Sequence, residues 1–101
     1  MVIGSPLGSI GGMELRPFQT AAYGASKALV HFFVRKMHFE NEGIVALVVD
    51  PGFVQTDMGN DGARKFGMEK AFLTIEESVK GVVKQVSLLP CTVETVMLIF
   101  K

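Results

Sequence analysis

The six residues Ile44-Val45-Ala46-Leu47-Val48-Val49 are all apolar and half of them valine, with no polar position between them, and Asp50-Pro51-Gly52 stops the run at once. Apolar alternation would mark a strand with one wet face. Its absence predicts a strand over 44–49 that is covered on both sides, as in a parallel sheet flanked by helices. Working back from this run, residues 21–41 (AAYGASKALVHFFVRKMHFEN) contain no proline and many good helix formers. Thr20 stands where an N-cap belongs and Gly43 is a stop signal just past the end. Further back, Gly4 to Gly12 (GSPLGSIGG) reads as a loop, and Met1-Val2-Ile3 as the last residues of a strand. Strand, crossover helix and strand make one parallel βαβ unit.

Working forward, residues 53–68 are rich in Gly, Asn, Asp and Thr and read as a long loop. Thr74, with Glu77 three residues on, predicts a capping box opening a helix over about 75–88, which Pro90 ends. The tail 91–101 (CTVETVMLIFK) has the composition of a strand, and the pattern names no partner for it. The expected fold is therefore α/β, a piece of a doubly wound parallel sheet. In such sheets ligands bind beyond the carboxyl ends of the strands, where both loops fall.

Composition narrows the function. A chain of 101 residues makes a single domain, 1–101. Ten basic and ten acidic residues cancel, so no charge excess points to nucleic acid or an anionic membrane as partner. The longest strongly apolar run is far short of the roughly 20 residues that span a bilayer, and the first residues do not read as a secretory signal. A cytoplasmic location is the expectation. One cysteine, Cys91, excludes an internal disulfide and a cysteine-cluster metal site. His31 and His38 are seven residues apart and read as ordinary surface or core histidines, so no metal is expected. Yet 49% of the residues are hydrophobic in a chain that buries only about 60–70% of its unfolded surface. Either the core is unusually dense, or part of the apolar surface belongs against another molecule.

The chemistry lies in Tyr23-Gly24-Ala25-Ser26-Lys27 at the start of the long helix. Tyr23 and Lys27 are spaced i, i+4 and leave the same helix face one turn apart. A phenol titrates near about 10, and a nearby ammonium favours its ionised form; a shift of about three units takes about 4 kcal/mol. The pair is suited to exchanging a proton with a carbonyl or alcohol oxygen. Ser5 and Ser9 supply hydroxyls just after the first strand end. Pro51-Gly52-Phe53-Val54-Gln55-Thr56 follows the second.

A serine in a Ser-x-x-Gly loop, a Tyr-x-x-x-Lys pentad continuing as Ala-Leu, and a strand followed by Pro-Gly-x-Val-x-Thr occur here in one order and spacing. In these features the chain resembles the short-chain dehydrogenase/reductase family, over about residues 1–86, with 87–101 a divergent tail. The details look most like fungal ketoreductase and carbonyl-reductase-like members. The resemblance implies a Rossmann-like fold and an oxidoreductase that moves hydride between a nicotinamide dinucleotide (NADP favoured over NAD) and a small carbonyl or alcohol substrate. It implies that Tyr23 is the general acid/base. Lys27 would hold Tyr23's proton balance and the nicotinamide ribose, and Ser5 would donate to the substrate oxygen. Pro51, Gly52, Val54 and Thr56 would line the nicotinamide end. Tyr23 lies 18 residues after Ser5, longer than is usual in the family, and 14 after Ser9. Ser5 is favoured because it has the matching glycine three residues on, and Gly12 to Pro17 would be an insertion.

The family's Gly-x-x-x-Gly-x-Gly turn, which opens a helix onto the pyrophosphate, has no counterpart: Gly4-x-x-x-Gly8 imitates its first part, but position 10 is Ile. The chain therefore looks like the carboxyl-terminal half of a reductase, lacking the dinucleotide-binding half. An inactive module that pairs with intact paralogues is the alternative. In the resembled family the long helix packs against its counterpart in another subunit, so helix 21–41 is the expected surface for a homo-oligomer or a paralogue, with Phe32, Phe33 and Phe39 in core or helix contacts. Residues 58–68 would correspond to the family's mobile substrate loop.

Overall fold

The computed structural model describes residues 1–88 and the strand pair at 98–99. Three short parallel strands form one sheet: β1 (Val2–Ile3), β2 (Val48–Val49) and β3 (Leu98–Ile99), in the order β1-β2-β3. Val2 lies opposite Val48 and Ile3 opposite Val49, while Leu98 and Ile99 face the same two valines from the other side. The central dipeptide carries the largest fully buried side chains among the described residues, with Val48 at 2% and Val49 at 1% exposure. Burial on both faces is what the unalternated valines require.

The strand is shorter than its apolar run. Ile44 and Val45 are exposed and irregular, although six residues were expected to be strand. A strand is only as long as the partner that pairs with it, and β1 offers two residues. The tail does supply a partner for β2 through Leu98–Ile99, which the sequence pattern did not name. The expectations for Pro90 and Cys91 lie outside the described residues.

Helix α1 (Ala21–Glu40) follows the predicted helix to within a residue. Thr20 occupies the N-cap position, but its hydroxyl makes no cap bond to the helix. Asn41 closes the other end, its Nδ2 donating to the Met37 carbonyl at 2.9 Å. The apolar residues expected in core or helix contacts do not become core within the chain. Val34 is buried, whereas Leu29, Phe32, Phe33 and Phe39 are each more than 60% exposed. Of the two explanations for the apolar excess, the dense core is excluded among the described residues: the buried hydrophobic side chains are Val34, Val48, Val49, Ala63 and Ala71.

The segment 53–68 is not a loop throughout. It contains α2 (Asp57–Lys65), whose N-cap Thr56 accepts the Gly59 N–H at 3.0 Å, with Asp57 in the first turn and Arg64 and Lys65 in the last. Those charges complement the helix dipole and offset a glycine-rich interior. A lone parallel bridge joins Val54 to Leu73 and brackets α2. Helix α3 (Ile75–Ser87) opens with the expected capping box: the Thr74 hydroxyl accepts the Glu77 N–H, and the Glu77 carboxylate accepts the Thr74 N–H at 2.8 Å. Buried Ser78 ties α3 back to the end of β2 by donating to the Pro51 carbonyl at 2.7 Å.

Candidate active site

The ends of β1 and β2 lie side by side, since the Gly4 N–H donates to the Val49 carbonyl at 2.9 Å. Two loops therefore leave neighbouring strand ends: the one carrying Ser5 and the one carrying Pro51 and Gly52. The first makes a 3-10 turn at Pro6–Gly8. Ser5 caps it, its hydroxyl oxygen accepting the Leu7 N–H at 3.2 Å, and is buried. This turn lies directly on α1. A Cβ on Gly8 would stand 2.7 Å from the Lys27 carbonyl carbon and the Ala28 nitrogen, and one on Gly24 would stand 2.7 Å from the Leu7 carbonyl oxygen. Backbone meets backbone there, and a side chain at either position would force the two apart. The Gly4-x-x-x-Gly8 spacing thus serves packing against α1 and β2.

Tyr23, Lys27 and His31 follow one another at i, i+4 and i+8 and form a single stripe along α1. Lys27 Nζ donates to the Ile3 carbonyl at 3.1 Å, the last carbonyl of β1, and lies 5.7 Å from the centre of the Tyr23 ring. His31 Nε2 accepts the Ser5 N–H at 3.2 Å. The stripe therefore faces the carboxyl end of β1, with Tyr23 38% exposed at its outer end. Ser9, the alternative hydroxyl, caps a separate turn by accepting the Gly12 N–H at 3.2 Å. Each serine so placed keeps its O–H proton to donate.

The second loop turns sharply. Gly52 has φ +80°, a conformation that favours glycine, and its N–H is accepted by Asp50 Oδ1 at 2.8 Å. Asp50 is buried, and burial raises its pKa; the Gly52 N–H, and the charges of Arg16 and His31, pull in the other direction. His31 is held below its ordinary range chiefly by burial, then by the Lys27 charge, while Asp50 opposes that shift. A neutral His31 is the state that can accept from Ser5. Sequence reasoning treated His31 as an ordinary histidine and Asp50 as a strand terminator. The spacing of His31 from Lys27 was visible, but its contact with a loop 26 residues away was not.

Val54 is held by its bridge to Leu73 and by the Thr56 N–H, which donates to its carbonyl at 2.8 Å. Its own N–H makes no hydrogen bond among the described residues. Phenylalanines gather beside these loops: Phe18 stacks on Phe66 at 4.3 Å between ring centres, and Phe53 lies 6.4 Å from Phe66 and 5.7 Å from Phe72. Among the described residues, no three His, Cys, Asp or Glu side chains gather as a metal site.

No family model matches the chain. Curated relatives do. The chain is 43% identical over 83 residues to a norsolorinic acid ketoreductase of Aspergillus parasiticus, covering 81% of this chain and 31% of that protein. It is 46% identical over 81 residues to the norsolorinic acid ketoreductase stcE of Emericella nidulans, covering 79% and 31%. With the short-chain dehydrogenase RED3 of Pyricularia oryzae, identity is 39% over 84 residues, covering 82% and 34%. The chain belongs to the short-chain dehydrogenase/reductase family. It spans about a third of the length of these reductase relatives. The small α/β fold with its parallel sheet is compatible with part of the family's doubly wound architecture. No helix among the described residues is long and apolar enough to cross a membrane.

Proposed function

We propose that these residues form the catalytic half of a nicotinamide-dependent reductase acting on a small carbonyl or alcohol substrate. The observation that carries the reading is the stripe of Tyr23 and Lys27 aimed at the end of β1, beside the loop of Ser5 and the turn of Pro51 and Gly52. Tyr23, half open to solvent, delivers a proton to the substrate oxygen or takes it away. Lys27 sets the electrostatics at that phenol and offers its ammonium to the ribose. Ser5, its oxygen already accepting from Leu7, keeps a proton to donate to negative charge growing on the carbonyl oxygen.

The residues present fit the nicotinamide end of the cofactor. The Val54 N–H is a donor without a partner among the described residues, Thr56 keeps a hydroxyl proton, and the Pro51–Gly52 turn bends the backbone away beneath that position. The cofactor supplies the hydride, which the protein orients. Reductase relatives support a nicotinamide cofactor in general; NADP in place of NAD is our finer proposal, on family resemblance. A glycine-rich pyrophosphate turn is not among these 101 residues, so binding by them rests on the nicotinamide end alone and is weak but saturable, and a cytoplasmic reductase is the setting we envisage.

The test titrates the purified chain into reduced cofactor and follows fluorescence enhancement and melting temperature. Saturable binding that weakens in Lys27→Ala sustains the reading. No binding by a folded chain favours a second reading, an inactive module that pairs with itself or with intact paralogues. One observation favours that alternative: Leu29, Phe32 and Phe33 of α1 are exposed at 68, 66 and 61%. A monodisperse monomer at micromolar concentration would remove it. The intact mass of the product made by its own cell tests whether this sequence is part of a longer chain.

A further inference from the structure

We propose that His31 is a positioning residue for the Ser5 loop, holding it against the Tyr23–Lys27 stripe when neutral and releasing it when protonated. The reactive hydroxyl assigned to Ser5 rests on the reductase reading above, but the contact itself does not. His31 Nε2 accepts the Ser5 N–H at 3.2 Å, and Ser5 is buried, so no solvent acceptor is at hand to replace the ring. The approach is built into the backbone. A Cβ on Gly4 would stand 2.6 Å from His31 Nε2 and would also collide with a methyl of Val48, so the residue before Ser5 leaves room for the imidazole. The Gly4 N–H is meanwhile fixed to the Val49 carbonyl, which makes Ser5 the first residue after β1 whose N–H depends on a side chain.

An imidazole accepts at Nε2 only while that nitrogen carries no proton. Protonation turns the acceptor into a donor facing a donor, and the Ser5 N–H loses its partner. The groups facing His31 set where this happens. Lys27, one turn away on α1, and burial oppose protonation; Asp50 at the end of β2 favours it, and Arg16 stands by Asp50. The Ser5 turn is then released from α1 on the acid side of neutrality, while the bond from Gly4 to Val49 remains.

The experiment is nuclear magnetic resonance on the nitrogen-15-labelled chain. At about pH 7.5 we expect a scalar coupling across the hydrogen bond between the Ser5 amide nitrogen and His31 Nε2. We also expect slowed exchange of the Ser5 amide. As the His31 ring titrates, the coupling vanishes. Ser5 protection, normalised to that of Gly4, falls about tenfold, the scale of one net hydrogen bond. His31→Gln keeps an acceptor that does not titrate, so protection persists through the acid range. His31→Leu removes it at every pH. Absence of the coupling at neutral pH, or Ser5 protection unchanged as His31 protonates, overturns the proposal. The wild-type titration decides even where a variant fails to fold. Failure to bind reduced nicotinamide would remove the reductase reading and leave these amide measurements standing. Loss of the amide pattern in a chain that does bind it would remove only the role of His31.

Discussion

Lys27 Nζ donates to the carbonyl of Ile3 at 3.1 Å, so the ammonium of the pentad is also the tie between α1 and the end of the first strand. Lys27→Met keeps the aliphatic stem and removes the donor. We expect a loss of about 1 kcal/mol in urea unfolding, together with loss of the Lys27-dependent part of cofactor binding. Full binding by this variant would contradict the role given to the ammonium.

Gly8 and Gly11 stand in the same loop and differ in what surrounds them. A Cβ on Gly8 would meet α1 backbone at 2.7 Å, whereas one on Gly11 would meet nothing within 4 Å. Gly8→Ala should destabilise by about 1–3 kcal/mol through forced separation of turn and helix. Gly11→Ala should stay within about 0.5 kcal/mol of the parent. Equal melting temperatures for the two variants would show that the turn does not press on α1.

Two groups give stability opposite dependences on pH. His31 is lowered from 6.5 in the fold, so the unfolded chain takes up its proton first. The stability that neutral His31 contributes is complete above about 6.5 and is lost as pH falls towards the lowered value. Asp50 is raised above 3.8, so its ionisation favours the unfolded chain, and stability declines as pH rises through its raised value. Asp50→Asn keeps an oxygen for the Gly52 N–H and should be at least as stable as the parent at neutral pH. Urea midpoints measured across pH for the parent, Asp50→Asn and His31→Gln separate the two contributions; an Asn variant less stable at neutral pH would refute the assignment for Asp50.

The stacked rings of Phe18 and Phe66 join the segment before α1 to the end of α2. A double-mutant cycle with Phe18→Leu and Phe66→Leu should return a coupling of about 0.5–1.5 kcal/mol. Additive effects would mean that the rings do not touch in solution.

What the sequence made legible was local. Thr74 and Glu77 announce the start of α3 because both halves of the capping box lie within one turn. The i, i+4 spacing likewise puts Tyr23 and Lys27 on one face before any fold is known. The run 44–49 was read too long because the extent of a strand depends on its partners, and those are distant in sequence. Helix α2 was hidden by Gly59, Asn60, Asp61 and Gly62, residues that prefer turns; the signal that could have found it was Thr56 followed by Asp57, with Arg64 and Lys65 at the other end. The part played by His31 had no local mark beyond its spacing from Lys27, since the contact arises only when α1 lies across the end of β1.

The centre of the sheet is two valines, and the positions that hold the candidate site hang directly from it: Asp50, before the Pro51–Gly52 turn, follows Val49; Gly4, before Ser5, follows the residue opposite Val49; and His31 sits over Gly4. Among the described residues, no further hydrophobic layer lies between this scaffold and the candidate site. Trimming Val48 to alanine would therefore disturb the candidate site as readily as it lowers the melting temperature, and the two effects would travel together through any set of natural variants.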